Sequence, residues 1–299
     1  RRLKKGNYTL KVMFMGYETF TGEIEISADL KKDVTLNKSA LVTDEVIVQG
    51  VKVSDHSPAT LSRLKKEDIS SGNTGQDIPY LISMTPSVVT SSDAGTGIGY
   101  TNLSIRGTDV KRINVTVNGV PVNDAESHGV FWVNMPDIAS SSENIQIQRG
   151  VGTSTNGAGA FGATVNFQTL NPKKEGYAEI ASSYGSFNTF KNTVMVGSGL
   201  LKNKFSVDAR LSKISSDGFV DRASADLKSF YISGSLYGKN SLLKVVVFSG
   251  KEKTYQAWYG IPKDSLNTNR TYNPYTYPNE TDNYQQDHYQ LLFSQQLAR

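Results

Sequence analysis

The last part of the sequence alternates apolar and polar residues with a period of two from Gly176 onward. In the run KFSVDARLS one face is apolar, with Phe205, Val207, Ala209 and Leu211. The other face is polar, with Lys204, Ser206, Asp208, Arg210 and Ser212. Tilted strands of about 9–11 residues cross a bilayer, and a closed sheet leaves no backbone group unpaired in lipid. The pattern predicts transmembrane antiparallel β-strands, rather than the shorter strands of a soluble β-sandwich.

Five further runs of this kind follow the same pattern, and residues 171–299 have room for about six or seven strands with their turns. The connection Lys253–Asn283 is rich in tyrosine, asparagine and proline. Segments of this composition tolerate exposure and often make contacts, so we expect an exposed loop here.

The glycine-rich motif GAGAFG, Gly157–Gly162, matches the GxGxxG pattern of a dinucleotide-binding turn. Such a turn must open a helix, because the free N–H groups and the helix dipole hold the phosphate. The residues that follow, ATVNFQTLNP, are rich in β-branched side chains and alternate in polarity, which predicts a strand. The glycines are therefore better explained by close approach of two backbone segments.

Composition argues against several classes of protein. The chain has no cysteine, and its three histidines are too scattered for a local metal motif, so no metal site is predicted. The net charge of +4 is spread along the chain, which gives no support for nucleic-acid binding. No nucleophile–base pair is recognisable, so we predict that the chain is not an enzyme and needs no cofactor.

Two regions precede the alternating strands. Residues 1–40 contain short alternating runs typical of a small β-sandwich-like module with one solvated face. Residues 66–171 mix α and β signals, including Asp77 as a helix cap, a first-turn proline at Pro79, and Pro86 as the end of that helix. A turn is predicted at Asn118-Gly119.

Three motifs in this middle region resemble, in order and spacing, the plug domain of TonB-dependent outer-membrane receptors. They are LSIRGT (103–108), NVTVNGVPVND (114–124) and ENIQIQRGVGTSTNGAGAFGATVNFQT (143–169). The segment TDEVIVQG (43–50) is similar to the TonB box, and residues 1–38 resemble the end of the carboxypeptidase-regulatory-like module of Bacteroides-type receptors.

The resemblance implies a mainly β chain of four parts. These are the C-terminal part of a carboxypeptidase-regulatory-like module (1–40), a TonB box and linker (41–65), a mixed α/β plug domain (66–171), and the first strands of the barrel (172–299). The family barrel has about 22 strands, so the barrel here is truncated and the sequence is expected to be a fragment. In this fold the glycines of GAGAFG would let the last plug strands turn closely under the barrel wall.

The resemblance also implies two sets of contact residues. A periplasmic TonB-type energy transducer would add a strand to the TonB box, at Asp44, Glu45, Val46, Ile47, Val48 and Gln49. The contacts between plug and barrel would be formed by Arg106, Gly107, Arg149 and Gly150, and the two arginines would meet carboxylates of the barrel wall. Guanidinium groups suit this contact because their bidentate pairs hold firmly and can be hydrated.

The family's substrate-facing plug loops correspond to residues 91–100 and 121–133. The candidate ligand-facing residues are Asp93, Tyr100, Asp124, Glu126, His128 and Trp132. Such a mixture could hold a ligand by stacking and hydrogen bonds, although Trp132 would serve equally well in the plug core. Glu126 and His128 alone are too few ligands for a metal site.

The function implied is TonB-dependent active transport of a scarce ligand, such as a metal chelate, vitamin or glycan, across the bacterial outer membrane. The implied partners are the energy transducer, outer-membrane lipid, the imported ligand and a surface lipoprotein. The N-terminal module and the plug would lie on the periplasmic or luminal side. The alternative is a secreted or surface β-rich adhesin or glycan-binding module, which would fold in water without detergent.

Overall fold

The computed structural model describes residues 3–12, 20–36, 60–151, 159–238 and 240–295. The predicted TonB box, 43–50, and the first two residues of the glycine motif lie outside these ranges. Within them no helix is long and apolar enough to span a membrane.

The N-terminal region forms an antiparallel pair of strands, β1 (Gly6–Val12) and β2 (Phe20–Ile26). Both strands alternate between exposed and half-buried residues, as expected for strands with one solvated face. A further alternating run of this region, KDVTLN, has no regular structure in its described residues, 32–36, so alternation there does not mark a strand.

In the described residues the middle region contains seven strands, of which five form one sheet in the order β3-β8-β9-β6-β7. The strands are β3 (Thr60–Lys65), β4 (Val88–Ser92), β5 (Thr101–Ile105), β6 (Ile113–Val117), β7 (Val120–Pro121), β8 (Ser142–Arg149) and β9 (Ala163–Thr169). β6 and β9 are parallel and the other pairs of this sheet are antiparallel, so we call it the mixed sheet. β4 and β5 form a separate antiparallel pair.

Short helical segments connect these strands. They are α1 (Lys66–Gly72), α2 (Ile78–Leu81) and three 3-10 turns at Val110–Arg112, Trp132–Asn134 and Ile138–Ser141. α2 begins after Asp77 with proline in its first turn, as predicted, although it is only one turn long. Residues 60–65, placed in the linker by the sequence, pair with β8 at the edge of the mixed sheet.

The last region is a six-stranded antiparallel sheet, called here the long sheet, in which strands pair in sequence order. Its strands are β10 (Tyr177–Gly185), β11 (Thr189–Gly197), β12 (Phe205–Ser216), β13 (Ala225–Tyr237), β14 (Ser241–Tyr255) and β15 (Thr281–Gln295). Six strands match the prediction from length and alternation. β14 and β15 each extend three residues into the predicted Lys253–Asn283 loop, because pairing continues to Tyr255 and Thr281.

The two ends of the long sheet carry different connections. Residues 186–188, 217–224 and 256–280 connect strands at one end, called here the loop end. Residues 198–204 and 238–240 connect strands at the opposite end, the turn end. The longest connection, 256–280, therefore lies at the loop end.

Burial in the long sheet is opposite to that of a water-soluble sheet. In β12 the polar residues Ser206, Asp208, Arg210 and Ser212 are buried, whereas Leu211 is 66% exposed. The same inversion gives an outward-facing apolar band on the long sheet, formed by Val194, Val196, Leu211, Ile232, Leu236, Val245, Leu291 and Phe293. A sheet in water hides this face, so the band indicates an apolar surrounding.

The main hydrophobic core lies in the middle region. Ile145, Ile147 and Val165 of the mixed sheet are fully buried, and Tyr231 and Phe248 of the long sheet belong to the same cluster. The long sheet thus packs its inner face on the middle region. Mainly β structure with a mixed central domain and an antiparallel sheet agrees with the predicted fold; within the described residues the long sheet does not close into a barrel.

The glycine motif leads into a strand, because β9 begins at Ala163, directly after Gly162. A Cβ on Gly162 would lie 2.6 Å from the Cβ of Thr108 and 2.8 Å from its methyl group. The backbone there donates from the Gly162 N–H to the Arg112 carbonyl, at 2.8 Å. Close approach is therefore found at Gly162, whereas a Cβ on Gly159 would meet no atom within 4 Å. The segment that approaches Gly162 belongs to the middle region itself, and not to the barrel wall as expected.

Candidate functional site

The interface between the middle region and the long sheet centres on Asp137. This residue has left-handed backbone angles and precedes the 3-10 turn Ile138–Ser141. Its side chain is fully buried and points at the inner face of β11 and β12. Asparagine and aspartate adopt this backbone conformation more readily than other non-glycine residues, which suits Asp137 to the turn.

Two cations of the long sheet meet the Asp137 carboxylate. The Lys191 ammonium lies 2.8 Å from one carboxylate oxygen, and the Arg210 guanidinium lies 3.4 Å from the other. Arg210 also donates to the Asp137 backbone carbonyl. Both cationic side chains are almost completely buried, so the carboxylate and the two cations interact out of contact with water, with one positive charge in excess.

Hydroxyl groups complete the site. Thr193 donates to the Asp137 carboxylate at 2.7 Å, and Ser212 donates to the same oxygen at 2.5 Å. From the middle region, Ser140 donates to the other oxygen at 2.6 Å. We call Asp137, Lys191, Thr193, Arg210 and Ser212 the Asp137 cluster.

The charge state of Asp137 follows from these neighbours. Burial alone would raise its pKa, but the cations of Arg210 and Lys191 and the hydrogen bonds from Lys191 and Ser140 outweigh it and lower the pKa below its usual range. The carboxylate stays ionised near neutral pH, and the Asp137 cluster holds the middle region to the sheet by charge and hydrogen bonds.

Other contacts across the interface are also polar. Lys244 of β14 donates to the Thr169 hydroxyl and the Leu170 carbonyl, both at 3.0 Å. Gln290 of β15 accepts from the Asn118 amide at 3.0 Å and donates to the Val117 carbonyl at 3.2 Å. Polar contacts are thus distributed over β11 to β15.

A second cluster lies at the loop end, around Tyr100. Its hydroxyl donates to Asp282 and lies 3.3 Å from Glu252. Its ring packs edge-on against Trp258 of the 256–280 connection, with the ring centroids 5.6 Å apart. Burial, together with the carboxylates of Asp282 and Glu252, raises the pKa of Tyr100, so the phenol stays a hydrogen-bond donor.

Aromatic rings extend from Tyr100 toward the solvent. Trp258 packs edge-on against Tyr275, and Tyr259 stacks on Tyr275 with centroids 5.3 Å apart. Trp258 and Tyr259 are exposed. We call Tyr100, Trp258, Tyr259 and Tyr275 the aromatic cluster, and such exposed rings can stack on a planar or apolar ligand.

The segment that carries Tyr100 is fixed by neighbouring loops. The Ala94 carbonyl accepts from the Phe219 N–H at 2.8 Å, and a Cβ on Gly95 would lie 2.9 Å from the Cβ of Phe219. Asp93 lies here too and is half-buried, and its burial raises its pKa. Asp93 and Tyr100 were predicted to face the ligand from the two ends of one loop. The structure brings them together, because the Asp93 N–H donates to the Tyr100 carbonyl at 3.0 Å.

The other candidate ligand residues lie elsewhere. Asp124, Glu126 and His128 are exposed on one turn, where the Asp124 carboxylate accepts from the Ser127 and Glu126 N–H groups. These hydrogen bonds, first from Ser127, hold the pKa of Asp124 below its usual range. Trp132 is 3% exposed and packs on Phe167 in the core, so its position leaves it no free ring face for a ligand.

Arg106 and Arg149 were expected to meet carboxylates of the barrel wall. In the described residues they contact the middle region instead: Arg106 donates to the Thr60 hydroxyl at 3.2 Å, and Arg149 donates to the Pro86 carbonyl at 3.1 Å. Gly150 lets the Arg106 guanidinium approach closely, since a Cβ there would lie 2.9 Å from it. Carboxylate contacts of these arginines stay a prediction.

Sequence reasoning missed the residues of the interface. Arg210 was recognised only as part of a polar strand face, and no role was assigned to Asp137 or Lys191. The sequence did contain a signal for this interface: charged residues lie on the strand face opposite the apolar band. Within the described ranges, no group of three or more histidine, aspartate or glutamate residues could hold a metal ion.

Comparison with known proteins identifies the middle region. Residues 54–164 match the sequence model of the TonB-dependent Receptor Plug Domain. This region is a plug domain. No curated protein matches the sequence. The plug domain therefore includes β3 to β8 and the first residues of β9, and the Asp137 cluster joins it to the long sheet.

Solved structures with this fold include outer-membrane receptors. The ferric-catecholate import receptor Fiu from E. coli K12 is 15% identical, covering 81% of this chain and 37% of that chain, with a TM-score of 0.65. The ferric yersiniabactin uptake receptor FyuA from Yersinia pestis is 11% identical, covering 79% and 38%, with a TM-score of 0.63. The alcaligin outer-membrane receptor FauA from Bordetella pertussis is 17% identical, covering 71% and 36%, with a TM-score of 0.56.

These likenesses show a shared fold, and the chain spans less than two-fifths of the length of each of these receptors. The long sheet resembles the start of a TonB-dependent receptor barrel. Together with the plug domain, the shared fold supports a TonB-dependent receptor. TonB-dependent transporters are not enzymes, which agrees with the prediction of no catalytic activity.

Proposed function

We propose that this chain belongs to a receptor that imports a ligand across the bacterial outer membrane with energy from a TonB-type protein. The observation that carries the proposal is the inverted long sheet, whose apolar face points outward while its polar face packs on a plug domain. An outward apolar band and a polar lumen are the two surfaces of a transmembrane barrel. A secreted adhesin would expose the same band to water, so this alternative is disfavoured.

The proposed orientation places the loop end outside the cell. Bacterial barrels have short turns on the periplasmic side and longer loops on the extracellular side. The 256–280 connection is the longest of the long sheet, and the aromatic cluster lies beside it. The plug domain and the N-terminal module would then lie on the luminal or periplasmic side.

The TonB box is proposed at Asp44–Gln49, outside the described residues. Val46, Ile47 and Val48 are β-branched, so an extended segment here suits strand addition by the transducer. Main-chain hydrogen bonds would give the grip, and a pull on this segment would act on β3, the next described element of the plug domain.

The plug would be released at its polar interface. A buried ion pair has little net stabilisation once water can solvate its members, because hydration compensates the lost Coulomb attraction. The contacts of the Asp137 cluster can therefore hold the plug at rest. When force separates Asp137 from β11 and β12, water can take the place of these contacts. Arg106, Gly107, Arg149 and Gly150 are proposed to add contacts to wall strands outside this chain.

The ligand is proposed to bind at the loop end. The aromatic cluster offers ring faces, and Asp93 offers a polar group beside it. The exposed turn of Asp124, Glu126 and His128 lies elsewhere on the middle region and is proposed as a separate ligand contact. The receptors named above are described as a ferric yersiniabactin uptake receptor, a ferric-catecholate import receptor and an alcaligin outer-membrane receptor. A metal chelate is accordingly the first ligand class to test, followed by a vitamin and a glycan; a surface lipoprotein that delivers it is a further proposed partner.

The test uses Val46→Pro in the full-length protein, with Val46→Ile as the matched control. Proline removes a backbone donor needed for strand addition, whereas isoleucine keeps the β-branched side chain. Cells lacking the native gene would be given iron-55 as a ferric catecholate, cobalt-57 cobalamin and a tritiated oligosaccharide. We expect one of these to bind equally to all three forms, but to enter cells only with the native and Val46→Ile proteins.

A second readout is disulfide cross-linking between an Ile47→Cys variant and a cysteine in the transducer's periplasmic domain. Two results would refute TonB coupling. One is uptake by Val46→Pro at the native rate, and the other is no cross-link when Ile47→Cys is the only substitution in the protein. The N-terminal module is proposed to be carboxypeptidase-regulatory-like, and its deletion is expected to leave ligand binding intact.

A further inference from the structure

Three lysines form a row on the outer face of the long sheet. Lys213 of β12 pairs with Lys228 of β13, and Lys228 pairs with Lys251 of β14. We call them the lysine row. Like charges directly opposite each other weaken a sheet, so three in succession are unfavourable unless an anion lies between them.

The charge of the row is only partly compensated. Lys213 forms an ion pair with Asp226, and both groups are well exposed. In the described parts of the chain, no ion pair is formed by Lys228 or Lys251, and both residues are exposed. At least two ammonium groups are therefore available to a ligand.

The lysine row borders the apolar band. Lys213 lies two residues from Leu211 on the same face, and the cross-strand neighbours of Leu211 are Val194 and Phe230. A groove of about 520 Å³ joins the two surfaces, with Val194, Leu211 and Phe230 in its apolar part and the three lysines in its polar part. Its shape and chemistry are those of a site for an amphiphile.

The three lysines also lie at the same height along the strands of the long sheet. It is on the loop-end side of the apolar band, since β12 and β14 continue from Lys213 and Lys251 to the loop end within a few residues. Lysines at this boundary can reach the headgroup layer while the apolar band contacts acyl chains. A phosphate group at this depth would face all three ammonium groups.

We infer that the lysine row and its groove bind a lipid with a phosphorylated headgroup. The phosphate would lie between Lys213, Lys228 and Lys251, and the first segments of the acyl chains would cover Val194, Leu211 and Phe230. The inference rests on the proposed function in one respect, that the apolar band faces a membrane. It does not require TonB coupling or ligand import.

The experiment measures lipid binding to the full-length protein by native mass spectrometry in neutral detergent. The probe is diphosphoryl lipid A, with its dephosphorylated form and inorganic phosphate as comparison ligands. The test variant is Lys213→Gln, Lys228→Gln and Lys251→Gln combined. The control combines Lys202→Gln, Lys204→Gln and Lys263→Gln, which are exposed in connections away from the groove.

We expect the native and control proteins to bind one diphosphoryl lipid in preference to the dephosphorylated lipid. Each lysine near a charged lipid surface contributes a several-fold effect, so the triple variant should bind about a hundredfold more weakly. Inorganic phosphate at millimolar concentration should not displace the lipid, because it cannot use the apolar part of the groove.

Equal affinity of the triple variant and the control would overturn the inference. So would equal binding of the phosphorylated and dephosphorylated lipids, or full displacement by inorganic phosphate. If the triple variant fails to fold, Lys228→Gln alone, in the centre of the row, should still weaken binding several-fold. Retained lipid selectivity with no TonB-dependent uptake would support this site while refuting the proposed transport.

Discussion

Asp137 shows how one buried carboxylate can join two parts of a molecule. It lies on a turn of the plug domain, while Lys191 and Arg210, its charge partners, lie on two strands of the long sheet. Removing one member of a buried pair leaves an uncompensated charge, which is more damaging than replacing the whole group by apolar residues. The stability of the plug in its resting position should therefore depend on this side chain.

Asp137→Asn is the first test at this scale. Asparagine keeps the shape and tolerates the left-handed backbone, so the change isolates the charge. We expect the full-length protein to lose about 3–5 kcal/mol of unfolding free energy, measured by denaturant titration in detergent.

The matched control is Asp226→Asn, which removes the partner of Lys213 in an exposed pair. An exposed ion pair contributes about 0–1 kcal/mol, so this variant should be close to the native protein. Equal losses in Asp137→Asn and Asp226→Asn would show that the Asp137 cluster does not hold the plug.

Asp77 gives a pH-dependent prediction. It is buried at the start of α2, accepts a hydrogen bond from Thr101 at 3.0 Å, and its burial raises the pKa to about 8. Between the ordinary pKa of 3.8 and about 8, the folded carboxyl keeps its proton while the unfolded one is ionised. Stability from this group is thus largest below the ordinary pKa and falls as the pH rises to about 8.

Asp77→Asn should flatten this part of the stability profile, because the amide does not titrate. Denaturation midpoints of the full-length protein at pH 5 and pH 8 would measure the slope. Asp124→Asn, at an exposed turn, should leave the slope unchanged in this range. A native slope retained in Asp77→Asn would assign the pH dependence to another group.

At the scale of elements, the entry into β9 depends on the absence of a side chain at Gly162. Gly162 lies against Thr108, and its N–H donates to the Arg112 carbonyl. The glycine therefore allows two segments of the plug domain to touch at the start of β9.

Gly162→Ala should destabilise the plug domain by about 1–3 kcal/mol, the usual effect of forcing a methyl group into a packed site. Gly159→Ala is the control, since a Cβ there meets no atom within 4 Å. Limited proteolysis of the full-length protein would measure local opening of the plug. Similar cleavage rates for the two variants would contradict the packing explanation.

The elements themselves were largely predictable. Alternation is a local signal, and it located all six strands of the long sheet and the strand after GAGAFG. β3 was less visible, because its short sequence lies at an edge and is defined by pairing with the distant β8. The Asp137 cluster was not predictable, since Asp137 and Arg210 are 73 positions apart and only packing brings them together.

At the scale of the whole molecule, the apolar band determines the environment in which the chain can fold. Its side chains lie on adjacent strands and face away from the plug domain. A charge introduced in the centre of the band should therefore be far more harmful than the same charge near the loop end.

Ile232→Arg tests this directly. An arginine near the middle of the bilayer reduces the stability of a barrel by about 2–4 kcal/mol. Folding of the full-length protein into phospholipid vesicles, followed by gel mobility against denaturant, would measure the change. Asn283→Arg, an exposed position in β15 beside the 256–280 connection, should have little effect; equal effects of both variants would argue against a lipid-facing band.

The hydrophilic seam between the plug and the long sheet has a mechanical consequence. Ammonium, guanidinium, hydroxyl and amide groups meet there, at Lys191, Arg210, Ser229, Lys244 and Gln290. Water can hydrate each of these groups as the two surfaces separate. A separation that begins at one edge can therefore continue as water hydrates one group after another. An apolar interface would resist separation until all of its contacts were lost together. This polar interface can instead separate stepwise under a small sustained force and form again when the force ends.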